Sequence, residues 1–151
     1  MRRFEIISKY KDEGLSMPIR KTSYAAGYDV ASAVDITIPK YKRGIKPVLV
    51  PTGMKVVMER DEYLMLVNRS SGPKKGLIMA NGIGIIDHDY YNNESNEGEI
   101  MFQYYNVTSK DIEIKKGDII GQMIFQKYLL TDDDKPLNVV RKGGFGSTDK
   151  K

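Results

Sequence analysis

The sequence predicts an all-β domain, and three observations carry that prediction. Short apolar–polar alternations of period two recur along the chain, Gly, Pro and Asp clusters separate them, and no stripe of helical spacing competes. Residues 4–9 form a short amphipathic strand. Val34-Asp35-Ile36-Thr37-Ile38 alternates until Pro39 ends it. Residues 48–50 follow Pro47 and stop at Pro51-Thr52-Gly53. Residues 55–58 and 63–67 flank the polar turn Glu59-Arg60-Asp61-Glu62, and residues 81–90 read as a β-hairpin. Residues 100–105 and 112–114 are further strands. Lys116-Gly117-Asp118 turns into a last apolar run over 119–128. One short helical turn is expected within residues 71–77. So many short strands define a sandwich, a barrel or a jelly roll.

Composition narrows the function. The chain has 151 residues, a single domain's length, and no Pro/Gly/Ser-rich linker divides it. There is no cysteine, which excludes disulfides, thiolate metal sites and a cysteine nucleophile. No apolar run reaches the roughly 20 residues of a membrane helix, and no secretory core follows Met1, so the cytoplasm is the expected location. The net charge of +4 comes from scattered lysines rather than a block. This argues against nucleic acid as the primary ligand, while a small polyanion would use the same positive field.

Five segments carry candidate chemistry. Ala25-Ala26-Gly27-Tyr28-Asp29 and Gly117-Asp118-Ile119-Ile120-Gly121-Gln122 read first as ordinary turns, although Asp29 could hold hydrated Mg²⁺ through water. Arg69-Ser70-Ser71-Gly72 suits phosphate oxygens but is also a common surface triplet. In Asn81-Gly82-Ile83-Gly84-Ile85-Ile86-Asp87-His88-Asp89-Tyr90, glycines let backbone approach a ligand. Asp87 and Asp89 are read as facing opposite sides, which argues against a paired acid and base. Either one could still activate a water. His88 is the only histidine and reads as solvated. Arg141-Lys142-Gly143-Gly144-Phe145-Gly146-Ser147-Thr148 combines a phosphate-binding cation, nest-forming glycines and a ring for stacking, or else is a solvated terminus. It lacks the Gly-Lys-Ser/Thr ending of a P-loop.

Together, in this order, the five segments resemble the five motifs of the trimeric dUTPase family, over residues 25–148. The 87–93 stretch resembles bacterial and phage members from Gram-positive lineages. The resemblance implies a distorted jelly roll (β-clip) over residues 1–136 and a homotrimer. Residues 137–151 would be a flexible C-terminal arm closing over a neighbouring subunit's active site. It implies hydrolysis of dUTP to dUMP and pyrophosphate with Mg²⁺, limiting uracil in DNA and supplying dUMP for dTMP synthesis. Asp87 would orient or deprotonate the attacking water. Asn81 and Gly84 would read uracil, and Tyr90 would pack under the deoxyribose. Arg69, Ser70, Ser71 and Gln122 would bind phosphates, and Asp29 would support Mg²⁺ through water. Arg141, Ser147 and Thr148 would hold the γ-phosphate, Gly146 would also belong to the substrate site, and Phe145 would stack over the uracil.

The chain departs from the commoner family pattern by an insertion, Asn92-Asn93-Glu94-Ser95-Asn96-Glu97, read as an exposed loop separate from the chemistry. Two other activities stay open. One is a nucleotide-switched binding protein acting on a host regulatory protein, if the chain is phage-encoded. The other is dCTP deamination, which needs an acid where Gln103 stands.

Overall fold

A computed structural model describes residues 1–146. Eleven strands form within them: β1 (Arg3–Ile6), β2 (Tyr28–Ala31), β3 (Ile36–Ile38), β4 (Val48–Pro51), β5 (Met54–Val57), β6 (Glu62–Val67), β7 (Leu77–Met79), β8 (Gly84–Asp87), β9 (Met101–Asn106), β10 (Ile112–Ile114) and β11 (Ile119–Lys127). One helical turn, α1 (Ser71–Lys74), falls inside the expected window. Every strand pair is antiparallel. The sheets run β2-β11-β6-β8, β4-β9-β7, β1-β5 and β10-β3, a jelly-roll layering of short strands. No described helix is long and apolar enough to cross a membrane.

The alternation read from the sequence is the alternation of burial. In β6, Glu62, Leu64 and Leu66 point inward while Tyr63, Met65 and Val67 are half-buried. In β9, Phe102, Tyr104 and Asn106 point inward. The core closes between these faces, with Phe102 and Tyr104 stacked at 6.2 Å between ring centroids. Such pairs contribute about 0.5–1.5 kcal/mol beyond the burial of their area. The Tyr104 hydroxyl donates to the Ile120 carbonyl, and burial pushes its phenol well above the ordinary tyrosine value. Glu62 is the one carboxylate on the inward face of β6. Arg2 Nε donates to both its oxygens at 2.8 Å, which holds the carboxyl below its usual range.

Two expectations need correction. Residues 81–90 are not a hairpin: β7 pairs with β9 and β8 with β6, so the strands flanking the Met79–Gly82 turn lie in different sheets. Adjacency in sequence suggested pairing, but β6 and β9 offered each strand a longer apolar partner. Gly27-Tyr28-Asp29 is not a turn either. Tyr28 and Asp29 open β2, paired with Met123 and Gln122 of β11.

β11 carries an irregularity between Ile119 and Gly121, and Phe102 explains the glycine there. A Cβ at Gly121 would run into the Phe102 ring, which is itself fully buried. Gly121→Ala is therefore expected to destabilise the fold by about 1–3 kcal/mol through overpacking. Urea unfolding checks this, and an unchanged midpoint would show that the ring has room to move.

Candidate functional site

The candidate residues fall into two clusters toward opposite edges of the β2-β11-β6-β8 sheet. Asp29, Gln122 and Val67 lie in one cross-strand row, because Gln122 is opposite Asp29 on one side and Val67 on the other. Gly84 is opposite Leu66. Directly opposed residues share a face, and consecutive residues of a strand do not. Leu66 and Val67 therefore send the Gly84 and Gln122 rows to opposite sides, while Asp87, opposite Tyr63, shares the Gln122 side.

The first cluster is cationic. The half-buried Asp29 carboxylate lies 3.7 Å from Arg69 and 3.4 Å from Lys21. Gln122 Nε2 donates to the Asn68 carbonyl at 3.4 Å. Ser70 precedes α1 and Ser71 opens it, and beside them Arg69, Ser71 and Lys75 line a depression. Asn68 Oδ1 is buried there without a partner. Among the described residues no three acidic or histidine side chains form a metal cage.

The second cluster surrounds a cavity of about 200 Å³. Its wall is β8, the outermost strand of its sheet, whose far backbone edge has no strand partner. Asn81, Gly84 and Asp87 line it, Gln103 faces it from β9, and Tyr90 closes one side. Among the described residues, Asp87 is the only carboxylate in this lining. The C-terminal segment covers the cavity from outside. Gly144 lies so close to the Tyr90 ring that a side chain there would collide, and Phe145 sits at the rim, about half exposed.

Arg141 lies across two acids. Its Nε donates to Asp89 at 2.8 Å and its Nη2 to Asp87 at 2.6 Å. Asp87 and Asp89 therefore share a side rather than facing apart. β8 ends at Asp87, and the 3-10 turn His88–Tyr90 brings Asp89 round. Positions two apart in an extended chain would also share a face. His88 is exposed, with Nδ1 3.0 Å from the Met58 carbonyl. Asp89 was weighed beside Asp87 and Gln103 as the place where a deaminase needs an acid; Met101 was not singled out from the sequence and had no signal there. Gly146 is the last described residue, and Ser147 and Thr148 lie outside the described residues.

The insertion is not a free loop. Asn92 N donates to the Glu97 carbonyl and closes it, and Asn93 is buried at its centre. Glu97 accepts from Ser8 N at 2.8 Å, and Lys55 Nζ donates to Asn92 at 2.6 Å, so both ends are tied to the β1–β5 layer. Polar composition suggested exposure, but here the polar groups bond one another.

Strands of this order around a cavity edged by unpaired backbone, with a cationic row toward the other edge of the sheet, define a β jelly-roll protein with a divided polar site. Comparison with known proteins makes the class specific. The dUTPase family model matches residues 13–149. The deoxyuridine 5'-triphosphate nucleotidohydrolase of Lactococcus lactis is 42% identical over 150 residues, covering 98% of this chain and 97% of the relative. The crystal structure of dUTPase from Streptococcus mutans superposes with a TM-score of 0.79 at 44% identity, covering 85% of this chain and 98% of that one. A mutant dUTPase of phage phi11 of S. aureus, described with a structural Mg(II) ion, shares the fold at 16% identity and a TM-score of 0.71, covering 92% and 98%. The chain belongs to the dUTPase family.

Glu99, behind Tyr90, gives a pH signature. Burial raises its carboxyl above the usual value, opposed by the Gly53 N–H at 3.3 Å. A carboxyl raised in the fold favours folding in its neutral form, so stability falls as pH rises from about 4.3, the unfolded value, through the higher folded value. Glu99→Gln is expected to unfold at higher urea than the native chain at pH 7–8, the gap closing as the pH falls toward 4. A gap independent of pH would show that Glu99 ionises freely.

Proposed function

We propose that this chain hydrolyses dUTP to dUMP and pyrophosphate, with water attacking the α-phosphorus. The observation that carries the proposal is the cavity itself: an unpaired strand edge, one carboxylate and one buried tyrosine under a glycine-rich cover. Backbone N–H and C=O groups of β8, with Asn81, supply donors and acceptors to the uracil edge. A base with the wrong pattern leaves buried groups unpaired, which discriminates strongly. Tyr90 is 4% exposed and lies beneath the sugar position, and Phe145 stacks over the base and excludes water. Asp87, the carboxylate that lines the cavity, orients the water and accepts its proton. Gln103, an amide, supplies no acid for deamination.

Arg69, Ser70, Ser71 and Gln122 bind phosphate oxygens, and Arg141, Gly146, Ser147 and Thr148 close on the γ-phosphate. Asp29 alone is not a cation cage, and its neighbours Arg69 and Lys21 already offset its charge. It fits Mg²⁺ in the form that ion favours, held mainly by phosphates and water, with Asp29 reached through water. When bound, Mg²⁺ neutralises the triphosphate and the leaving pyrophosphate.

The lateral separation of the two clusters supports a homotrimer. One chain offers phosphate-binding residues over β2 and β11 and base-binding residues at the β8 edge of the same sheet. A complete site therefore combines clusters from neighbouring copies. Leu137, Val139 and Val140 support the same reading, since each is more than three-quarters exposed in the single chain, apolar surface that a neighbouring copy would cover.

Pyrophosphate release with Mg²⁺ from dUTP, dCTP, dTTP and UTP tests the reaction. Release is expected from dUTP alone, falling at least a hundredfold in Asp87→Asn. A folded protein that leaves dUTP intact would overturn the reading. Light scattering tests the assembly: a mass three times that of the chain is expected, and a monomer active on dUTP would overturn the trimer.

A further inference from the structure

The insertion at residues 92–97 is bonded to Tyr90 as well as to the β1–β5 layer. Asn96 Nδ2 donates to the Tyr90 hydroxyl oxygen at 2.7 Å, and that hydroxyl donates to the Glu99 carbonyl at 2.7 Å. The phenol is thus held from both sides, one as acceptor and one as donor. Asn93 Nδ2 donates to the Tyr90 carbonyl at 2.8 Å, so the same loop also fixes the backbone. Burial raises the Tyr90 phenol above its ordinary value, so it stays a neutral hydroxyl able to do both.

Asn96 is itself locked. Its Oδ1 accepts from Asn93 Nδ2 at 2.8 Å and Gly98 N at 3.0 Å. Asn93 Oδ1 accepts from Ser95 N at 3.0 Å, Ser95 Oγ at 2.9 Å and Asn96 N at 3.2 Å. Glu97 and Asn92 anchor the ends to Ser8 and Lys55, while Tyr91 donates to Glu5 at 2.7 Å. A six-residue insertion whose three asparagine side chains are all hydrogen-bonded transmits position rather than absorbing it. Its fixed end is the β1–β5 layer, and its working end is the ring that closes the cavity.

We propose that Asn96 is a positioning residue for sugar discrimination: through the Tyr90 hydroxyl, the insertion holds the ring where a ribose 2′-hydroxyl would collide. This rests on the reading of Tyr90 as the surface beneath the deoxyribose. The brace acts on discrimination and binding rather than on the attacking water, because Asp87 is held elsewhere, by Arg141. An unbraced ring can tilt away, admitting UTP and gripping dUTP less firmly.

The test is a double-mutant cycle in the full-length protein, with Asn96→Ala, Tyr90→Phe and the double variant, reading kcat and KM for dUTP and UTP. Asn96→Ala is expected to lower the dUTP-over-UTP ratio of kcat/KM about tenfold. It should do so through KM, with kcat for dUTP within about twofold of the native value. In the Tyr90→Phe background, which lacks the hydroxyl, adding Asn96→Ala is expected to change the ratio no further. Asn96→Ser, which keeps a polar group inside the loop but cannot reach Tyr90, should match Asn96→Ala and serves if that variant does not fold. An unchanged ratio in a folded Asn96 variant overturns the brace, and so does an equal fall in the Tyr90→Phe background. A native protein with no preference for dUTP over UTP overturns the underlying reading of Tyr90 instead, and the native arm alone reveals that.

Discussion

The pairing of β6 decides where the chemistry can go. This strand is hydrogen-bonded on both sides, to β11 along its whole length and to β8 along most of it. Its own alternation therefore sets the facing of both neighbours. Leu64 and Leu66 are buried because they are apolar. That choice turns Gly84 and Ile86 toward the core side and Gln122 toward the other. A slip of one residue in the β6–β11 pairing would exchange the faces of β11 and put Gln122 into the core. The register is protected by the cost of burying that amide. Register and core are thus one constraint seen at two scales.

Elements were legible in the sequence where burial is one-sided. β3, β6, β9 and β11 alternate because one face is solvated, and each falls within a residue or two of its expected position. β2 was not legible: only Val30 is fully buried in it, so no period could emerge, and Gly27 beside Tyr28 looked like a turn. β7 is three residues long, too short to show a period. The supposed hairpin failed because pairing depends on partners far off in sequence, here β6 and β9.

The candidate site divides in the same way. Asp87, Tyr90, Asn81 and Gly84 sit on one cavity, as the motif order suggested. The relation of Asp87 to Asp89 depends on where a strand gives way to a 3-10 turn, and composition does not announce that point. The insertion was misread for another reason. Asn, Ser and Glu mark solvated loops when their polar groups face water, and the same residues make a rigid knot when they bond one another. Nothing in Asn92-Asn93-Glu94-Ser95-Asn96-Glu97 distinguishes the two until Asn93 is seen buried with Tyr90 as its neighbour.

Arg141 already has two anionic partners before any nucleotide arrives. A guanidinium in that state does not capture a phosphate as a free cation would. It exchanges one set of charged hydrogen bonds for another, and the free-energy gain is the difference between them rather than the full strength of either. Such a contact contributes more to selection than to grip, since a ligand of high negative charge competes for the guanidinium better than a weakly charged one. The same exchange would uncover Asp87 in the act of binding, so the arrival of a polyanion and the release of that carboxylate would be a single event.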